Sequence, residues 1–280
     1  MSDNITFSLL VGAGSLFAGF LGSLTGMGGG IVIVPMLTLL FGVDIRFAVG
    51  ASLISVISTS SGAASAYVKE GFSNIRIGMF LEIATTAGAI VGAYLAGIVN
   101  ANIIAIIFAV VLLYSAVTNV IHRESKKQKT ETDRIATFLR LDGHYPAESG
   151  ALRDYHVRRV PQGFGLMFIA GNLSGLLGIG SGAAKVLAMD QVMKIPYKVS
   201  TTTSNFMIGV TAAASAGIYL KNGFINPSLV MPVMLGVLAG AFIGAKVLHV
   251  TPSKWLRILF SIIVFALAVE MIRNVLTGTL

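Results

Sequence analysis

Apolar runs long enough to cross a bilayer are what most restrict the folds open to this chain. Gly50–Val68, Ile75–Val99, Ile103–Ile121, Leu229–Val250 and Leu256–Met271 reach or approach the ~18–20 apolar residues that carry a helix through a hydrocarbon layer. No segment alternates with the period of two over ~10 residues that a membrane barrel strand requires, so the spans are helical. Composition agrees, with 55% hydrophobic residues, 11% charged residues and a mean hydropathy of +0.83. The expected class is an all-α polytopic membrane protein. No Lys or Arg precedes the first apolar run, which predicts a first helix that is retained rather than a cleaved leader.

Absence of cysteine excludes disulfides, thiolate metal sites and cysteine nucleophiles. The net charge of +8 does not point to nucleic acid, because nine of the twenty Lys/Arg lie in one polar segment, His122–Val160. A basic excess flanking membrane helices marks the cytoplasmic side, so the partner implied is the lipid bilayer. The expected organisation is a first transmembrane repeat over 1–121, a cytoplasmic loop over 122–160 and a second repeat over 161–280.

The two hydrophobic parts repeat each other at a constant offset of 152 positions without gaps. Gly19, Gly26, Gly28 and Gly30 fall on Gly171, Gly178, Gly180 and Gly182. Ser52 meets Ser204, Tyr67 meets Tyr219, Asn74 meets Asn226, and Gly88-Ala89 with Gly92-Ala93 meets Gly240-Ala241 with Gly244-Ala245. Each copy reads as a hydrophobic stretch broken by a glycine cluster, followed by three ordinary spans. With 122–160 inside, counting back puts Lys69 and Arg76 inside and Arg46 outside. If the second glycine-broken stretch forms a hairpin, Lys194, Lys198, Lys246 and Lys254 also lie inside, leaving Lys221 and Arg273 outside. The positive-inside bias favours that choice and makes the two repeats inverted. Inverted repeats with paired discontinuous segments characterise many secondary transporters, whose solute sits near the midplane at the breaks.

The first break reads Gly22-Ser23-Leu24-Thr25-Gly26-Met27-Gly28-Gly29-Gly30, and the second runs from Gly171 to Gly178-Ile179-Gly180-Ser181-Gly182. Glycine lets backbone N–H groups approach a ligand, and a helix starting after such a loop presents free N–H groups and a positive dipole end. Two such ends suit a small anion. Candidate binding residues are therefore Thr25, Gly26, Gly28, Gly29 and Gly30 in the first copy, with Gly178, Gly180, Ser181 and Gly182 in the second. Gly88/Gly92 and Gly240/Gly244, by contrast, have the spacing of helix–helix packing.

Lys185 lies one turn past Gly182 inside an apolar run, where the first copy has Ile33. A lysine at membrane depth costs about 2.5–3.5 kcal/mol, so it either meets a ligand or counter-ion or snorkels to an interface. Hydroxyl-rich runs follow both breaks: Ser52, Ser55, Ser58, Thr59, Ser60 and Ser61, then Ser200-Thr201-Thr202-Thr203-Ser204-Asn205. These side chains either line a polar path or bond back to their own helix carbonyls. Ser52, Ser204 and Asn205 join the candidates. Glu82 has no charged neighbour in sequence and is the candidate proton carrier, with interfacial placement as the alternative. Glu270 has Arg273 one turn on, and His249 has Lys246, so both read as interfacial.

At the breaks the pattern resembles the sulfite exporter TauE/SafE family of bacterial membrane permeases. The residues that carry the resemblance are Gly19–Pro35 (GFLGSLTGMGGGIVIVP) and Gly171–Asn205, from GNLSGLLGIGSG into TTTSN. It extends over both repeats and implies a permease or exporter of sulfite or organosulfonates in the bacterial inner membrane, with no cofactor. The second copy departs in having Ser181 opposite Gly29 and Leu187 opposite Pro35. A sulfonate's three acceptor oxygens suit convergent N–H, hydroxyl and ammonium donors.

Intramembrane catalysis fits poorly. Ser181 and Ser174 lack a glycine two residues earlier, as a rhomboid-type nucleophile needs, and the four histidines are scattered, so no metal site is expected. A passive anion channel is the nearer rival, since backbone groups and a lysine can line a pore. A scaffold does not account for two breaks at equivalent positions. Self-association into a homo-oligomer is compatible with the sequence. The polar segment, with its apolar island Ile135–Leu141, reads as partly folded, either covering the inner mouth or serving as a solvated connector.

Overall fold

A computed structural model describes residues 2–25, 29–69, 73–120, 133–146, 152–248 and 253–278. The helices run in the order α1 (Ser2–Thr25), α2 (Gly30–Phe41), α3 (Ile45–Lys69), α4 (Ile75–Ile98) and α5 (Ala101–Val120). After the short α6 (Arg134–Phe138) and the strands β1 (Gly143–Pro146) and β2 (Leu152–Tyr155) come α7 (Val160–Leu177) and α8 (Gly182–Leu187). A π-helical turn, Ala188–Val192, extends α8. Then follow α9 (Tyr197–Lys221), α10 (Pro227–Leu248) and α11 (Ser253–Thr277).

Among the described residues four segments are long and apolar enough to cross a membrane: Ile75–Ile98, Val160–Leu177, Pro227–Gly244 and Phe260–Thr277. Thr6–Gly22, Gly30–Phe41, Ile45–Ser60 and Ala101–Val117 are shorter apolar helical stretches. Polarity is arranged for a lipid solvent. Leu9, Phe17, Ile83, Ile90, Phe242 and Ile262 face outward, while Ser52, Ser55, Thr85, Thr203, Thr211, Glu82 and Lys185 are buried. Water would favour the reverse arrangement.

Local signals set the helix ends. Gly42 closes α2 in the left-handed conformation (φ 62°), and the Val43 amide reaches back to the Leu37 carbonyl. Asn74 caps α4 by accepting from the Ile77 amide at 3.1 Å. Pro161 stands in the first turn of α7, where its missing N–H costs nothing.

Helix packing is organised by backbone contacts at glycine. α1 packs on α10, and α4 packs on α7. A Cβ at Gly88 would strike the Phe168 carbonyl, and one at Gly92 the Asn172 carbonyl. Likewise a Cβ at Gly240 would strike the Leu16 carbonyl, and Leu16 precedes Phe168 by the repeat offset. Gly19 meets the Val237 carbonyl as Gly171 meets that of Thr85. The remaining large interfaces are α3 with α9, α5 with α11, α4 with α9 and α10 with α3. Exchanging the two halves maps this set of partners onto itself.

The polar segment adds β structure that the all-α expectation did not contain. Strands β1 and β2 pair antiparallel, with His144 opposite Asp154. Asp133 caps α6, and Ala136, Leu141, Tyr155 and Val157 are buried in a cluster with Ile77, Leu81, Met189 and Met193. The apolar island therefore does fold, against the start of α4 and the π turn. Asn74 donates to the Leu141 carbonyl and to Tyr155 Oη at 2.6 Å, and the Arg158 amide donates to the Met193 carbonyl. Burial pushes the Tyr155 phenol above its ordinary range, aided by the nearby Asp142 carboxylate and opposed by the Asn74 hydrogen bond. At the opposite face, Arg46 donates from Nε to the Ala96 carbonyl (3.1 Å) and from Nη2 to that of Val99 (2.7 Å). Its guanidinium stands over the Phe224 ring. Arg46, the α4–α5 turn and the α9–α10 turn thus share one end, away from the folded polar segment.

Candidate functional site

The second break is well defined. Helix α7 ends at Leu177, Gly178 (φ 68°) and Gly180 (φ 69°) take the left-handed conformation, and α8 begins at Gly182. Ser181 is also left-handed at φ 46°, a strain of about 1–2 kcal/mol for a residue with a side chain, and its Oγ is buried without a hydrogen bond among the described residues. Gly180 and Gly182 pack against Ile208 of α9, and Gly178 packs against Val49 of α3.

The start of α2 comes to the same place. A Cβ on Gly30 would lie 2.7 Å from Ser52 Oγ and 2.8 Å from the Gly178 carbonyl oxygen. The Ser52 hydroxyl donates to that carbonyl at 2.7 Å, so α3 of one half holds the break of the other. In the second half, the Ser204 hydroxyl donates to the Gly182 carbonyl at 3.3 Å. Gly29 is buried against Val237 and Ile33. The candidates Gly29, Gly30, Ser52, Gly178, Gly180, Ser181, Gly182 and Ser204 are therefore drawn together around α3 and α9. Gly26 and Gly28 lie outside the described residues, as do the side chain of Thr25 and the whole of His249.

The hydroxyl runs divide sharply. Ser55, Ser58, Thr59, Ser60, Thr201 and Thr202 bond back to carbonyls three or four residues earlier in their own helices. That is the ordinary fate of such residues in helices. Ser52 and Ser204 instead reach across to the break, while Thr203 accepts from the Asn74 amide at 3.1 Å. Asn205 is buried on α9 beside Ser204.

Lys185 does not snorkel: its relative exposure is 0%. Its ammonium donates to Thr211 Oγ1 at 2.6 Å, and Thr211 Oγ1 stands 2.7 Å from Glu82 Oε1. Thr86 donates to the same carboxylate oxygen at 3.0 Å, whereas Glu82 Oε2 is buried with no hydrogen bond among the described residues. Glu82 is thus buried in the bundle, and the structure supplies the charged neighbour that the sequence lacks locally. Thr211 was not among the sequence candidates. It stands seven residues after Ser204 and four before Ser215, so a polar stripe on one face of α9 was the signal that could have found it. The Glu270–Arg273 pair forms on the exposed surface, one turn apart as expected.

A buried ammonium, a left-handed serine and two glycine-lined breaks thus lie on α2, α8 and the loops before them, beside α3 and α9. The comparisons agree with a transporter. A probable membrane transporter protein of Bacillus subtilis, YunE, is 28% identical over 276 residues, which cover 96% of this chain and 98% of YunE. A second from the same organism, YdhB, is 28% identical over 245 residues, covering 86% of this chain and 89% of YdhB. A probable membrane transporter protein of Methanocaldococcus jannaschii is 23% identical over 269 residues, covering 91% of each chain. No solved structure gives a significant match. The family model described as sulfite exporter TauE/SafE matches residues 11–271, and over that span the chain belongs to the TauE/SafE family.

Proposed function

We propose that this protein is a secondary carrier for sulfite and organosulfonates, working by alternating access around the paired breaks. The observation that carries the reading is Lys185, a fully buried ammonium one turn past the second break. The membrane-depth cost of such a charge is offset when its task is to hold an anion. Ser181, Ser52, Ser204, Asn205 and the backbone of Gly29, Gly30, Gly178, Gly180 and Gly182 complete the site, and Thr25, Gly26 and Gly28 are assigned to it on the sequence alone. Three acceptor oxygens on a sulfonate match such a set of donors.

The reading takes 1–121 and 161–280 as inverted repeats joined by 122–160 on the cytoplasmic side. Support comes from the exchange-invariant helix contacts and from the separation of Arg46 and the polar segment to opposite ends. Two inverted halves meeting at their breaks can rock about a fixed site, opening it to each side in turn. Glu82, across Thr211 from Lys185, is the residue placed to carry a proton.

Flux into proteoliposomes of sulfite, sulfoacetate, taurine and chloride, compared for wild type and Lys185→Met, tests the reading. Saturable sulfite or sulfonate flux with counterflow of label is expected, falling by about tenfold or more in the variant as a charge-assisted contact is lost. Equal flux in both proteins removes Lys185 from the site. Flux without counterflow makes the protein a pore.

A further inference from the structure

We propose that Glu82 is the internal counter-ion of Lys185 in the empty carrier, and that it yields this place to one singly charged anion only as it takes up a proton. The inference rests on the carrier reading above and extends it to stoichiometry and charge selectivity. The cargo is then a monoanion, such as a sulfonate or hydrogensulfite, moving with one proton and no net charge.

The geometry at Thr211 carries the argument. Its hydroxyl accepts from the Lys185 ammonium at 2.6 Å and has a single proton of its own to donate. Two acceptors compete for that proton, Glu82 Oε1 at 2.7 Å and the Met207 carbonyl at 2.9 Å. With Glu82 ionised the proton points to Oε1, and the chain ammonium–hydroxyl–carboxylate is complete. A proton arriving from water on the open side of the carrier converts the Glu82 carboxylate into an acid. The acid's O–H then donates to Thr211 Oγ1, and the Thr211 proton turns to the Met207 carbonyl. The hydroxyl, with two lone pairs, now accepts from both the acid and the ammonium, and what the ammonium has lost is its counter-charge, which the anion replaces. No bond other than the new carboxyl O–H is made, and release of anion and proton on the far side restores the starting state.

Charge counting explains why the two arrivals are linked. Lysine and glutamate together are neutral in the empty state. An anion added alone leaves an uncompensated negative charge in a low-dielectric bundle, a cost of several kcal/mol, and a proton removes it. A dianion leaves one negative charge even after Glu82 is protonated. Glu82 Oε2, buried without a hydrogen bond among the described residues, costs less as the uncharged oxygen of an acid than as part of a carboxylate.

Few other titratable groups lie on the elements packed around this chain of atoms. Helix α7, packed on α4, has none in its sequence. Helix α9 has Tyr197 and Lys198 at one end and Tyr219 and Lys221 at the other. On α4 itself, Arg76 and Tyr94 lie six residues before and twelve after Glu82. Asp190 follows Lys185 in the π turn, and Asp142, Tyr155 and His156 sit on the folded polar segment. The first repeat has Ile33 where the second has Lys185, and the second has Met234 where the first has Glu82, so the repeat offset generates no second copy of this arrangement.

The test uses the full-length protein in proteoliposomes containing a pH dye, with labelled methanesulfonate as probe and the potential clamped by potassium and valinomycin. An acid-outside gradient should drive methanesulfonate accumulation with about one proton per anion, at a rate independent of the clamped potential, and sulfate should neither enter nor compete. Glu82→Gln should abolish gradient-driven accumulation, and whatever counterflow it keeps should be independent of pH. Thr211→Val should weaken coupling, and Thr211→Ser should restore it. Potential-driven uptake without protons, sulfate entering as readily as methanesulfonate, or intact coupling in Glu82→Gln overturns the inference and leaves the anion carrier standing. Wild-type liposomes that move neither methanesulfonate, sulfite nor sulfoacetate overturn both. The wild-type stoichiometry alone decides the matter if Glu82→Gln does not fold.

Discussion

Replacing Gly30 by alanine probes the meeting of the two breaks most directly. The new methyl carbon would sit 2.7 Å from Ser52 Oγ, 2.8 Å from the Gly178 carbonyl oxygen and 3.2 Å from Val56 Cγ2. Ser52 can rotate away, but only by giving up its 2.7 Å hydrogen bond to Gly178, which costs about 1–3 kcal/mol if the buried carbonyl is left unpaired. The carbonyl belongs to backbone held by a left-handed glycine and cannot rotate, so overpacking adds about 1–3 kcal/mol. Alanine returns up to about 1 kcal/mol as the better helix former. Gly30→Ala should therefore destabilise by about 1–6 kcal/mol, measured by SDS-induced unfolding in mixed micelles. Ser52→Ala removes one of the two obstacles, so the double variant should fall short of the summed single effects by ~1 kcal/mol or more. Additivity within about 0.5 kcal/mol would mean that Gly30 and Ser52 are not neighbours, and the apposition of the breaks would be refuted.

Other consequences can be checked alongside it. Gly88→Ala and Gly240→Ala drive a methyl group into a backbone carbonyl of the facing helix, so each should lower the yield of monodisperse protein far more than Gly165→Ala, which meets nothing within 4 Å. Arg46→Lys replaces a two-pronged donor by a point charge. It should lose one of the bonds to Ala96 and Val99, at about 1.5–3 kcal/mol in the same unfolding assay. Tyr155 holds its proton more firmly folded than unfolded, so its contribution to docking of the polar segment is complete below pH 10.0 and is lost as pH rises above it. Hydrogen exchange at Leu141 and Ile77 should show that alkaline release, and Tyr155→Phe should remove the step while weakening docking by ~1 kcal/mol at neutral pH.

Much of the helical layout could be read from the chain because bilayer length and the 152-residue register leave little freedom. Gly88 and Gly92 carried their packing role in their spacing. Gly19 and Gly171 did not, because nothing local distinguishes a glycine that meets Val237 or Thr85 from one that lines a break. Ser52 and Ser204 stood out only by falling on each other in the repeat, and the bonds that separate them from Ser55 or Thr59 reach partners up to 126 residues away. The partner of Lys185 was hidden for the same reason. Thr211 is 26 residues from Lys185 and 129 from Glu82, and it looks like any hydroxyl in a small-residue helix. The hairpin within 122–160 was obscured because its short strands carry charged residues and show no alternating apolar face.

The asymmetry of the repeats has a physical reason. If the proposed anion site draws on both breaks, a lysine at Ile33 as well as at Lys185 would put a second ammonium into one low-dielectric region. Like charges there repel by several kcal/mol, and a single anion could not neutralise both. A symmetric scaffold can therefore carry such a charge in one copy only, with the equivalent site kept apolar. Under the proposed coupling the same holds for Glu82 and Met234: a second carboxylate would need a second cation, and then a second proton for each anion moved. Glycines and hydroxyls carry no net charge, and they are the residues that the two halves share at Gly30 and Gly182 and at Ser52 and Ser204. On this argument Ile33→Lys should fail in one of two ways, by not inserting or by binding anion without releasing it. Adding Met234→Glu should partly restore insertion, because the new ammonium then has a carboxylate on the helix that matches α4. Membrane-inserted yield of the single and double variants measures this. Equal yields would show that the two positions do not face each other as Lys185 and Glu82 do.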